Sequence, residues 1–260
     1  MNLLKIGLQF LKLNGLRWTV LYVVYWSLRF FFRKDSTSLS KTLIGLELRY
    51  NLPGFNSPAT AGVLWDLLPW EKERGEEWTV STQWKQSLID DVVLKYIKSE
   101  TTVLEIGPGA GRWTDVLRTI AGKLIAVDVS EKAISLCRER FSSSQNIEFF
   151  LVKKIDISFI PDASIEAVWS FDVFVHINPA DTDRYLAEFK RVLVPGGTAV
   201  IHHPKEGGIR GGCRSRMTDH LFTSMLDRHG LVLDHRFDSW GENGQFDLHR
   251  FGDCISVFHA

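Results

Sequence analysis

At 260 residues the chain is long enough for one domain of average to large size with appendages. Its 45% apolar content supports a packed core, and 31 basic against 31 acidic side chains exclude a global field that would favour nucleic acid. Three widely spaced cysteines, Cys137, Cys213 and Cys254, form neither a disulfide framework nor a metal-ligand spacing, and point to a reducing, cytoplasmic compartment.

The neutral total hides an asymmetry. Residues 1–34 carry Lys5, Lys12, Arg17, Arg29, Arg33 and Lys34 and no acid, so the remaining 25 basic groups face all 31 acidic ones. The longest uncharged run there, residues 18–28, is 11 residues, against the roughly 20 that a membrane-spanning helix needs. No small-residue cleavage site comes after it, as a secretory signal requires. Trp, Tyr and Phe mixed with cations fit a helix lying in the membrane interface, on the anionic cytoplasmic leaflet. Packing on the domain, pairing with a second copy as a homodimer, and a true span are the other readings.

Residues 35–80 read as a cap or lid segment. Ser36 to Ser40 separate the arm from this segment, and residues 51–58 are turn-rich. Trp65, Trp70 and Trp78 punctuate the remainder around a charged run over 71–77. Such a stretch folds over a substrate or is a packed connector; both readings stay open. A third segment, 81–260, opens with helical periodicity in Trp84, Leu88, Val92 and Tyr96, with Ser81 as the N-cap.

The densest signal comes next in the chain. Val103 to Ile106 is an apolar strand that runs into Gly107, Gly109 and Gly111, with a helix expected over 112–121. A strand that turns into a helix through glycines brings bare N–H groups close to a ligand. The next strand, 123–128, closes on Asp128, where a doubly wound sheet holds ribose hydroxyls. The glycine spacing is two and two, unlike the dinucleotide pattern.

In this context the stretch resembles the nucleoside-binding motif of class I S-adenosylmethionine-dependent methyltransferases, over residues 80–260. The resemblance implies an α/β fold: a doubly wound, seven-stranded, mostly parallel, Rossmann-like sheet with an antiparallel last strand. It implies S-adenosyl-L-methionine as cofactor. Glu105 would then help orient the methionine end. Gly107, Gly109 and Gly111 would lie against the methionyl and ribose part, and Asp128 with Val129 would meet the ribose. Asp156 would accept from the adenine amino group, with Ile157 against the ring. A glycine turn that merely packs a helix, and an NAD-dependent oxidoreductase, are the competing readings.

Further along, Ser130 caps a helix to Phe141, and 147–152 and 165–171 are the third and fourth strands. Ligands in open α/β sheets sit at carboxyl strand ends, so Ser170, Phe171 and Asp172 are pocket candidates. Then come a helix over 179–193, a tight turn over 194–197 and a fifth strand over 198–202. A helix over 217–229 ends at Gly230. Strands over 231–237 and 254–258 make a hairpin-like ending that agrees with the family's sheet.

A sulfonium methyl carries its own leaving group, so an enzyme chiefly positions the reactants. A hydroxyl acceptor needs a base, and His176, His202 and His203 lie at strand ends. Adjacent strand residues face opposite ways, so at most one of His202 and His203 points at a substrate. The loop over 204–216 has four glycines and four cations, and reads either as a grip for phosphate or an acidic sugar or as a solvated surface loop. Its pattern, with Trp240 and Asp253 later, resembles bacterial methyltransferases found among sugar and surface-polysaccharide genes. The preferred expectation is O-methylation of a sugar or lipid-linked glycan hydroxyl, with the membrane surface as partner and no metal. A methyltransferase of a small metabolite or lipid ring, and a cofactor-binding scaffold without turnover, are the alternatives.

Overall fold

Apolar residues alternate between two buried faces along every central strand, and this makes the sheet. In β1 (Thr102–Ile106), Val103 faces one core while Leu104 and Ile106 face the other; in β4 (Ile165–Ser170), Ala167 and Trp169 oppose Val168. With β2 (Lys123–Asp128), β3 (Ile147–Leu151), β5 (Leu193–Pro204), β6 (Val232–Phe237) and β7 (Asp253–His259) they form one seven-stranded sheet. The spatial order is β3-β2-β1-β4-β5-β7-β6. Pairs from β3 to β5 are parallel, and β7 runs antiparallel between β5 and β6. The expected doubly wound sheet with an antiparallel last strand is the observed one.

This computed structural model describes residues 3–32, 42–43, 45–46, 49–50, 56–207 and 214–260. The break expected over 36–40, most of the turn-rich 51–58 stretch and the middle of the basic loop fall outside them. The described helices are α1 (Leu3–Phe32), α2 (Pro58–Asp66), α3 (Thr82–Leu88), α4 (Glu131–Arg140), α5 (Pro179–Val192) and α6 (Asp219–His229), with shorter turns between. Ser81, Ser130 and Thr218 cap their helices by accepting from Trp84 N, Ala133 N and Leu221 N, and Gly230 closes α6 in the left-handed conformation.

The helix expected over 112–121 is shorter, a single turn over Thr114–Leu117. The backbone tightens there to three-residue hydrogen bonds, Val116 N to Trp113 O and Thr119 N to Val116 O. Asn146 Nδ2 then takes the carbonyls of Arg118 and Ala121, 3.0 and 2.9 Å away, and ends the element.

Two helices outside the sheet, α1 and α2, are joined to each other and to the domain. In α1 the chain kinks at Gly15, and Trp18, Tyr22 and Tyr25 pack with Leu43 and against Leu64 of α2. The Asn14 side chain donates to buried Thr60 Oγ1 of α2 at 2.9 Å. At its other end α2 is tied to α4: Asp66 Oδ1 accepts from Ser130 Oγ at 2.7 Å and from Lys132 N at 3.1 Å.

Gly111 has φ 92, and a Cβ on it would stand 2.5 Å from Phe141 Cε2. Gly111→Ala is therefore expected to cost about 1–3 kcal/mol of stability through overpacking and backbone strain. Urea unfolding measures this, and an unchanged midpoint would refute the packing role.

Candidate active site

A cavity of about 520 Å³ lies at the carboxyl ends of β1, β2 and β4. This is where neighbouring strands depart in opposite directions, the usual ligand position of an open α/β sheet. Gly107, Pro108 and Gly109 form its base, Asp128 and Val129 one side, and Phe171, Asp172 and Val173 the other. Gly107 has φ 74, and a Cβ there would overlap Val173 Cγ2 at 2.4 Å, so this position admits no side chain.

Asp128 organises the turn. Its Oδ2 accepts from Gly109 N at 3.1 Å and its Oδ1 from Ser130 N at 2.8 Å. Burial pushes its carboxyl up to about 6, against the pull of these amides. Bare backbone at Gly107 and Gly109 beside an acid on the neighbouring strand suits a nucleoside cofactor. Five of the sequence-derived cofactor residues line the cavity: Gly107, Gly109, Asp128, Val129 and Phe171.

The others do not. Glu105 is buried beneath the turn, where its Oε2 accepts from Thr114 Oγ1 at 2.7 Å. Burial raises its carboxyl to about 8. Gly111 packs against Phe141 rather than the cavity. Asp156 is exposed and folds back on Ser158, accepting from its Oγ at 2.6 Å and its N at 3.1 Å in a local turn. Ile157 is fully buried in the core, and Val152 and Ile155 form the cavity wall there instead. Ser170 is buried and donates to Ile106 O at 2.9 Å, joining β4 to β1.

The three histidines separate. His176 is on the cavity wall, with its ring 5.0 Å from that of Trp65. His203 points into the opposite core, stacked on Phe222 at 3.9 Å with Nε2 2.7 Å from Ser256 Oγ. Burial lowers its pKa to about 3, so it stays neutral. His202 takes the other face of β5, as strand parity demands, but it lies beneath Phe171, ring to ring at 4.3 Å, and lines no part of the cavity.

His202 is instead the middle of a charged row. Its Nδ1 is 3.1 Å from the Asp172 backbone N and 3.2 Å from Asp172 Oδ1, and its Nε2 is 3.4 Å from Asp253 Oδ2. A neutral ring accepts the Asp172 N–H at Nδ1, whereas a protonated ring donates to Oδ1. Burial disfavours the charge, but the two carboxylates outweigh it and raise the pKa. Arg112 pairs with Asp172 and Arg214 with Asp253, and these four residues all reach the cavity. Burial works to raise the Asp172 pKa, yet His202 and Arg112 prevail and hold it well below the carboxylate range. Asp172 sits at φ 62, a strained conformation for a residue with a side chain.

Sequence reasoning named Asp172 and His202 without pairing them, and passed over Arg112. Arg112 stands directly after the glycine turn and was findable. Asp253 appeared in the sequence only within the closing pattern: the antiparallel pairing of β7, with Pro204 opposite Asp253, is what brings it to the end of β5.

The last wall is aromatic. Trp65 and Trp70 line the cavity from α2 and the turn after it, with Trp78 beyond, and Trp70 Nε1 donates to Trp65 O at 2.7 Å. Gly62 of α2 approaches Val129 so closely that a Cβ would lie 2.8 Å from Val129 O. The 56–78 stretch thus packs on the β2–α4 turn and walls the cavity at once.

Comparison with known proteins agrees with this geometry. Residues 103–197 match a family model described as a methyltransferase domain. A probable S-adenosylmethionine-dependent methyltransferase of Mycobacterium tuberculosis is 32% identical over 102 residues, covering 39% of this chain and 35% of that protein. Demethylmenaquinone methyltransferase of Tropheryma whipplei is 31% identical over 106 residues, covering 40% and 43%. The chain thus spans less than half the length of these curated relatives. Among solved structures, a chain of the Haloferax volcanii complex of the Trm112 methyltransferase activator with a methyltransferase superposes with TM-score 0.58 at 18% identity, covering 75% of this chain and 97% of that one. The [4+2]-cyclase SpnF superposes with TM-score 0.61 at 14% identity, covering 78% and 96%. The fold is that of class I methyltransferases, and the cofactor implied by the matched domain and the relatives' names is S-adenosylmethionine.

Burial of Glu105 has a pH signature. Its folded pKa of about 8 exceeds the ordinary 4.5, so the native state binds the proton more tightly. Stability from this group is full below pH 4.5 and is lost as pH rises towards 8. Urea unfolding at pH 5 and pH 8 should show a smaller loss for Glu105→Gln, which keeps an acceptor for Thr114, than for wild type. Equal losses would count against a neutral Glu105.

Proposed function

We propose that the protein transfers the methyl group of S-adenosylmethionine to a hydroxyl of a sugar or lipid-linked glycan. The observation that carries the cofactor half is the contact between the bare glycine turn and Asp128. The bound cofactor supplies an electrophilic methyl on a sulfonium. The chain supplies the rest: the turn and Asp128 hold the nucleoside, and His176, the candidate histidine on the cavity wall, takes the hydroxyl proton. Trp65 and Trp70 exclude water and offer flat faces to a ring. The 56–78 stretch acts as the cap over the acceptor.

A second reading is methylation of a lipid ring. The aromatic wall and the likeness to demethylmenaquinone methyltransferase favour it.

The α1 helix bears on where the acceptor lies. Among the described residues no helix is long and apolar enough to cross a membrane. Opposite its packed aromatic face, α1 presents Leu16, Val20 and Val23, 67%, 53% and 60% exposed, beside Arg17. We infer that this stripe lies in the cytoplasmic leaflet and raises the local concentration of a bilayer-bound acceptor.

Labelled cofactor incubated with separated sugar, lipid-linked glycan and quinone-lipid fractions tests the acceptor. Label in a glycan fraction supports the first reading, and label in the ring lipid alone selects the second. Asp128→Ala should weaken S-adenosylhomocysteine binding at least tenfold by calorimetry, given about 1.5–3 kcal/mol for hydrogen bonds to a charged group; unchanged affinity refutes the site. Leu16→Glu with Val20→Glu should abolish sedimentation with anionic vesicles, and undiminished sedimentation removes the membrane role.

A further inference from the structure

The basic loop over 204–216 sends one of its described residues, Arg214, to the cavity. That residue is fixed from two sides. On the backbone side, the next residue, Ser215, is fully buried; its N–H donates to Val175 O at 2.7 Å, and its Oγ accepts from Met217 N at 3.1 Å. On the side-chain side, Arg214 Nη2 donates to Asp253 Oδ1, and the guanidinium carbon lies 5.5 Å from the ring centre of Phe251, which also lines the cavity.

Arg112 and Arg214 end the same charged row and differ in access. Arg112 Nη1 is buried without a partner and is closed to any ligand. The Arg214 side chain keeps 16% of its surface, and none of its nitrogens is both buried and unpartnered. A guanidinium carries five N–H donors. Asp253 engages one nitrogen of this one, which leaves donors on a side chain that lines the cavity.

The charges along the row do not cancel. Arg112, Asp172, His202, Asp253 and Arg214 are three basic groups against two carboxylates. Burial works against a charge on His202, but the two carboxylates prevail and raise its pKa. With the ring protonated the row holds one positive charge in excess, and its open end is Arg214. The other carboxylates on the cavity are already occupied: Asp128 by Gly109 N and Ser130 N, and Asp181 by Arg184 at 3.4 Å.

We propose that Arg214 receives an oxyanion carried by the acceptor, either a phosphate of a lipid-linked glycan or the carboxylate of an acidic sugar. A planar, permanently charged fork that only donates suits both. The subsite stands apart from the cofactor turn, because Arg112 ends the row beside the glycines and Arg214 ends it at β7. It rests on the glycan reading and narrows the acceptor to an anionic one.

The protein, with and without S-adenosylhomocysteine, is titrated with inorganic phosphate, glucuronate and glucose, and binding is followed by NMR at the Ser215 amide and the Arg214 Nε–H. Saturable shifts are expected with an anion and none with glucose. Saturation by phosphate alone assigns the lipid-linked carrier, and by glucuronate alone the acidic sugar. Arg214→Gln should weaken anion binding at least about tenfold, the range of hydrogen bonds to charged groups, and leave affinity for S-adenosylhomocysteine unchanged. Arg214→Lys keeps a cation for Asp253 but loses the fork, and should weaken the anion likewise. It carries the test if the Gln variant does not fold. No saturable shift in wild type, or unchanged anion affinity in a folded variant, overturns the subsite. Label from S-adenosylmethionine found only in neutral glycans also overturns it and leaves the glycan reading standing. Label in the ring lipid alone overturns both.

Discussion

The hydrogen bond from Gly109 N to Asp128 Oδ2 joins the two strands on which the cavity is built. It sets the turn after β1 against the tip of β2, and the second Asp128 oxygen fixes the start of α4 through Ser130 N. Ser130 then grips Asp66 and so brings in α2, the wall on the far side. One carboxylate thereby coordinates the base, the side and the roof of the cavity. The arrangement requires a backbone without side chains at the turn, because Val173 occupies the space a Cβ would need at Gly107.

Electrostatics divide the cavity in a second way. Two arginine–carboxylate pairs that reach the cavity flank a buried imidazole set back from it, so alternating charges run from the end of the glycine turn to the start of β7. Buried charges persist only when paired. Here each carboxylate has both an arginine and a share of His202. The strained backbone at Asp172 is held in place by the same contacts. A row of this kind is stiff, which suits a reaction that depends on positioning two reactants rather than on polarising either.

The α1 helix has two apolar faces, and among the described residues only one of them meets protein. Its aromatic face packs on α2, while Leu16, Val20 and Val23 face outward. Since α2 also lines the cavity, α1 is joined through it to the cavity wall. SpnF, a [4+2]-cyclase by name, shares the fold, so the fold by itself does not fix the reaction.

What the chain declares on its own is local. Strand alternation, serine caps, the glycine turn and the acid closing β2 depend on neighbours within a few residues, and all of them appear in the structure where their spacing puts them. Periodicity also marked the face of α3 that packs on the sheet, and the mixture of aromatics and cations marked α1 as a helix. What the fold decided is which polar side chains reach the cavity. Asp156 and Ser170 found partners beside them and turned away; Glu105 sank beneath the turn. His202 and His203 obey strand parity, but the Phe171 ring covers the one that faces the site. Asp253 and Arg214 join Arg112 only because β7 inserts antiparallel beside β5. Strand pairing between residues far apart in the chain leaves no periodic trace, so this charged row exists only in three dimensions.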